Sequence, residues 1–146
     1  MSLFILSLQV FGPLEVLEGL APLVTQHVAT LRRAGERIGR TSTLATSDVL
    51  NVEFGEWNPS EGDEGASFAK EQAILDATRL ELLRLAPALA SLDRRDVEAR
   101  LWLSAIRMEE QGGLSVPPQL IAVAAAAGLG LEISILVMLN HDGGES

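Results

Sequence analysis

Residues 97–106 alternate without a break: Val97, Ala99, Leu101, Leu103 and Ala105 fall on one side, and Glu98, Arg100, Trp102, Ser104 and Ile106 on the other. A period of two held for that length is the geometry of an extended chain with one face buried, and a helix cannot sort these residues that way. Gln111-Gly112-Gly113 closes the run. A strand of this kind needs neighbours to pair with and an apolar layer to cover it, so the rest of the chain must supply both.

Three further segments read as strands. Residues 3–11 set Phe4, Leu6, Leu8 and Val10 against Leu3, Ile5, Ser7 and Gln9, until Gly12-Pro13 breaks the pattern. Asp48 to Phe54 carries Leu50, Val52 and Phe54 opposite Asn51 and Glu53. Leu131 to Leu139 is expected to bury Leu131, Ile133, Ile135 and Val137. The covering layer comes from helices at 13–21, 66–85 and 116–127. Pro13 suits a first helical turn before Leu14, Leu17, Leu20 and Ala21, and Pro22 keeps that helix short. Phe68, Leu75, Leu82 and Leu89 recur every seventh residue, flanked by Leu85 and Leu92, and mark one helical face. Pro87 is expected to end that helix near Leu85 and to begin a short helical segment of its own, because an internal proline costs about 3 kcal/mol. Ser115 is read as the cap of the Ala-rich helix and Gly128 as its left-handed stop. Residues 23–36 leave two readings open. Leu23, Val24, Val28 and Leu31 fit a helical stripe, whereas Val24, Thr25, Val28 and Thr30 are β-branched and Gly35 would end a strand.

Length and composition narrow the function classes. A chain of 146 residues with 47% hydrophobic and 21% charged side chains is a single globular domain, 1–146, with a frayed tail from 140 to 146. Twenty acidic against eleven basic residues give a net charge of −9, which disfavours nucleic acid as a partner. With no cysteine there are no disulfides, thiolate zinc sites or cysteine nucleophiles, as suits the cytoplasm. Met1 to Phe11 lacks the positive start of a signal peptide, and Leu120 to Leu139 is interrupted by Gly128, Gly130 and Glu132, so no membrane segment is expected.

No catalytic frame emerges. Glu53, Glu56, Glu61, Asp63 and Glu64 offer carboxylates, but Pro59 and Gly62 break the spacing a calcium loop needs, and neither metal nor cofactor is expected. His27 and His141 lack the company of a nucleophile motif, and no phosphate-cradling glycine loop is present. Glu98 and Arg100 read as an ordinary cross-strand ion-pairing set. Arg32, Arg33, Arg37 and Arg40 cluster with only Glu36 to offset them, a candidate anion site, and a groove near Arg32, Arg33, Arg37 and Glu53 is the candidate pocket of the alternative reading, a small-molecule-binding domain or an enzyme.

Period-two geometry also nominates an interface. If Val97, Leu101 and Leu103 face the core, Trp102 and Ile106 point away from it, joined by Leu136 and Met138 from the last strand and Leu3 and Ile5 from the first. Six large apolar groups exceed what a monomer usually leaves to water, so this face is expected to form a homodimer or dock a partner, with Trp102 near its centre.

The run Leu114-Ser115-Val116-Pro117-Pro118-Gln119-Leu120-Ile121 and the later Gly128-Leu129-Gly130-Leu131-Glu132-Ile133-Ser134-Ile135 resemble the closing helix and strand of a small bacterial family, domain of unknown function 4279. Gly19-Leu20-Ala21-Pro22 and Arg33-Ala34-Gly35-Glu36 resemble two earlier features of it. The resemblance spans nearly the whole chain and implies that 27–33 is a strand. It brings no catalytic residues. The implied order is strand, helix, strand, strand, helix, strand, helix, strand: an α+β fold with a mixed, mostly antiparallel sheet of about five strands and helices mainly on one face, ferredoxin-like with an extra helix and strand. The expected function is a non-enzymatic bacterial protein-interaction domain, immunity-like or self-associating.

Overall fold

The computed structural model describes residues 3–35, 48–57, 64–107 and 115–137. In chain order the elements are β1 (Leu3–Phe11), α1 (Leu14–Leu20), one 3-10 turn (Ala21–Leu23), β2 (Val28–Arg32), β3 (Val49–Trp57), α2 (Glu64–Ala90), β4 (Glu98–Arg107), α3 (Pro118–Ala126) and β5 (Gly130–Val137). The five strands form one open sheet in the order β2-β3-β1-β4-β5. β1 pairs antiparallel with β3 and β4, β2 antiparallel with β3, and β5 parallel with β4. The first four strands and two helices thus have the ferredoxin-like βαββαβ arrangement, and α3 with β5 adds one parallel strand beside β4.

One core joins the helices to one face of the sheet. Phe4, Leu6, Leu8 and Val10 of β1 meet Leu50 and Val52 of β3 and Leu101 and Leu103 of β4, beneath Leu17 of α1, Leu75, Leu82 and Leu89 of α2, and Leu120 of α3. The alternation read in β1, β3 and β4 therefore sorts core from outer face as expected. β3 departs from strict alternation once: Leu6 pairs with Gly55 and Ser7 with Glu53, so Phe54 is an extra residue in a β-bulge. Gly55 is required there, because a Cβ would stand 2.8 Å from the Ile74 side chain on α2.

Several boundaries differ from expectation. α2 runs unbroken through Pro87 to Ala90. Proline leaves the Leu83 carbonyl without its helical N–H, but Leu83 and Pro87 both lie on the exposed side, where water can serve it. Continuing the helix keeps Leu85 and Leu89 buried, a gain of about 1.5–3 kcal/mol per side chain that offsets the local loss. Residues 28–32 are a strand, which closes the ambiguity in that region.

α3 is capped by Pro117, with no side-chain cap, and Ser115 lies outside the helix, where its carbonyl accepts from Gln72. A β-region proline places its carbonyl to receive the N–H groups of Leu120 and Ile121, so no hydroxyl is needed. The stop at Gly128 is as expected: φ is +74°, the Gly128 N–H bonds the Ala125 carbonyl, and the Leu129 N–H bonds that of Ala124, a Schellman end. Arg94 completes it, donating to the carbonyls of Leu89 at the end of α2 and Ala127 at the end of α3, at 2.8 and 2.7 Å. One guanidinium thus ties two helix C-termini together and offsets the negative end of both dipoles.

Burial on β5 is the main correction. Leu131, Ile133 and Ile135 pair in register with Leu101, Leu103 and Ala105, which are buried, and so lie on the helix side of the sheet. They are nevertheless 40%, 46% and 43% exposed, because β5 is an outer strand that α3 does not cover. The Val137 side chain and the tail 140–146 lie outside what the structure describes.

Candidate functional site

Three places could carry function: the outer face of the sheet, a buried carboxylate under the segment before β2, and the free edge of β5. On the outer face the register gives rows of neighbours. Val28, Glu53, Ser7, Trp102 and Glu132 form one row; Glu56, Ile5, Ser104 and Ser134 the next; Leu3, Ile106 and Leu136 the one beyond. Ile106 and Leu136 are thus brought together beside the Leu3 backbone position. Trp102 lies two rows away, half-buried between Ser7 and Glu132, and Ile5 is half-buried between Glu56 and Ser104. Met138 lies outside the described residues.

Arg100 holds the middle of this face. It donates to Gln9 at 2.9 Å and to Glu132 at 3.1 Å, and its guanidinium stands 5.1 Å from the Phe11 ring centroid. The cross-strand ion pairing expected of Glu98 and Arg100 is met for Arg100, whose partner is Glu132 across the β4–β5 ladder. Engaged on three sides, Arg100 is not offered to an anion.

The arginine cluster is only partly described. Arg32 ends β2 on the outer face, Arg33 follows it, and Arg37 and Arg40 lie outside the described residues. Glu53 pairs with Val28, four residues along β2 from Arg32, a separation of about 13 Å at the usual strand rise. The groove proposed near Arg32, Arg33, Arg37 and Glu53 is thus described only in part, Arg37 lying outside the described residues.

Glu81 is the residue that sequence reasoning missed. It projects from α2 into full burial and collects the Gln26 backbone N–H at 2.8 Å, His27 Nδ1 at 3.0 Å, Thr25 Oγ1 at 3.4 Å and the Arg84 guanidinium at 3.2 Å. Burial pushes its carboxyl up; the hydrogen bonds from Gln26, His27 and Thr25 and the charge of Arg84 outweigh that, leaving it below the ordinary glutamate value. The His27 ring also meets Phe54 edge to face, with centroids 5.0 Å apart. A carboxylate that orients a histidine is one component of general-base chemistry, yet every described polar group here converges on Glu81 and none on the outward ring nitrogen. The cluster fastens residues 25–27 to α2 and so sets where β2 enters the sheet. The available signal was a polar residue at a core position of the helix, one step from Leu82 and three from Thr78, both fully buried.

Surface clefts lie elsewhere on the described residues, among them one of about 520 Å³ beside Phe11, Pro13 and Arg95. One of about 420 Å³ between α2 and α3 has Leu75 and Leu120 on its floor and a closed Asp76–Arg79 ion pair, 3.0 Å, on its rim. Another of about 450 Å³ opens at the start of β5, beside Arg94, Arg100 and Glu132, whose charged groups already have partners. Among the described residues no group of three or more His, Asp or Glu is placed to hold a metal ion, and no helix is long and apolar enough to cross a membrane.

The edge of β5 is different in kind. Its eight residues carry Leu131, Ile133 and Ile135 on one face and Leu136, 54% exposed, on the other. No described strand pairs with its outer side. The opposite edge, β2, has five residues and runs into Arg32 and Arg33, the short and charged form that discourages pairing. Residues 131–136 hold no proline or lysine, and their one charge, Glu132, is matched by Arg100. No family model, curated protein or solved structure matches this chain.

Proposed function

We propose that this chain is a non-enzymatic bacterial protein-interaction domain, working in the cytoplasm and belonging to the family that its closing helix and strand resemble, and that β5 is its working surface. The observation that carries the reading is the exposure of four aliphatic side chains on both faces of an edge strand. Such an edge offers backbone donors and acceptors to a neighbouring strand and apolar side chains on either side of them, the two ingredients of strand addition.

The test is the size of the full chain in bacterial extract, measured by native chromatography at near-physiological salt. It should elute in an assembly at least twice its own mass of 15.6 kDa, and Ile133→Lys should move it to the monomer position. Monomeric elution of both proteins refutes the reading.

A further inference from the structure

We infer that the occupant of the β5 edge is a second copy of this chain, added antiparallel about a two-fold axis through Ile133, so that two sheets join into one of ten strands. The inference rests on the interaction reading above and specifies its partner. A strand that meets itself must be self-complementary, and β5 is so in this register. Ile133 faces Ile133 of the other copy, and Leu131 faces Ile135, giving a continuous aliphatic row on the helix side. On the outer side Glu132 faces Ser134. A shift that centred the axis on Glu132 would instead set two carboxylates against each other, which is destabilising for directly opposed residues. Charge thus disfavours the Glu132-centred register, and in the Ile133-centred one each Glu132 keeps its own Arg100 at 3.1 Å.

Area supports the same occupant. At their exposures the four side chains offer on the order of 80 Å² each, so two edges with their backbone bury on the order of 1,000 Å², at the threshold of a specific interface.

The experiment uses the purified full chain. Sedimentation at about 100 μM should give twice the monomer mass, and Ile133→Lys should raise the dissociation constant at least tenfold while keeping the helical and strand signal of the folded protein. Because the chain has no cysteine, single introduced thiols report register directly. Ile133→Cys, on the axis, should oxidise to a covalent dimer, whereas Leu131→Cys should not, its counterpart lying about four residues away along the other strand, beyond disulfide reach. A wild-type chain that stays monomeric at that concentration, or equal cross-linking of both variants, overturns self-pairing. If the purified chain is monomeric but the extract assembly persists and is lost with Ile133→Lys, self-pairing alone has failed; if both are monomeric, the interaction reading fails with it.

Discussion

Replacing Glu81 by alanine is the sharpest test of how the sheet's second strand is held. The substitution leaves the Gln26 N–H without its acceptor and removes the partner of His27 and Arg84. Leaving the part-buried Gln26 N–H and the His27 ring without their acceptor costs about 1–3 kcal/mol together, and losing one buried methylene adds about 0.8. Arg84 is half-exposed and can turn to water, so its share is small. The expected loss is about 3 kcal/mol, or about 10 °C in Tm for a domain of this length. Urea titration followed by circular dichroism measures it.

The pH dependence has a definite sign. A carboxyl whose folded value lies below its unfolded one stabilises fully above the ordinary glutamate range and loses that contribution as pH falls through the folded value. The gap between wild type and Glu81→Gln should therefore be full at neutral pH, begin to narrow near the ordinary glutamate value of about 4.3, and close only as pH falls through the lower folded value. A loss under about 0.5 kcal/mol for Glu81→Ala, or a gap that does not change with pH, would refute the view that this carboxylate fastens residues 25–27.

Leu82→Ala should cost about 2–5 kcal/mol, because Leu82 is wholly buried, while Leu83→Ala, at a half-exposed position one residue on, should cost under about 1; equal midpoint shifts in denaturant would contradict the burial pattern of α2. Gly55→Ala should destabilise by about 1–3 kcal/mol through its contact with Ile74, and Ile74→Ala in the same chain should recover part of that; a neutral Gly55→Ala in thermal melts would show the bulge to be loose. Arg94→Ala should lower stability by about 1–3 kcal/mol and speed amide exchange at the ends of both α2 and α3; exchange altered at only one end would deny its double role.

What can be read from the residues follows a simple division. β1, β3 and β4 lie inside the sheet, so their alternation maps directly onto burial, and Leu75, Leu82 and Leu89 mark the buried face of α2 for the same reason. β5 has the same kind of pattern, but its position at the edge is decided by pairing with β4 across the intervening α3, which no local period records. Its alternation predicts burial, and its side chains lie half outside. Residues 28–32 give equal support to a helix and a strand, and what decides is their ladder with β3. Glu81 is hidden from a local reading because its partners His27 and Gln26 lie more than fifty residues earlier in the chain. Pro87 weighs less than its position suggests: the cost of an internal proline is local, whereas the burial of Leu85 and Leu89 on either side of it is set by the whole core.

A pairing edge on the outer side of β5 gains protection when copies of the chain meet. Hydrogen exchange read by mass spectrometry, at about 2 and about 200 μM of the full chain, tests it directly. Protection should rise with concentration in peptides covering Gly130–Val137 and stay constant in those covering Val28–Arg32 at the opposite edge. Equal exchange of Gly130–Val137 at both concentrations, with the rest of the sheet protected, would mean that the outer side of β5 does not pair with a second copy.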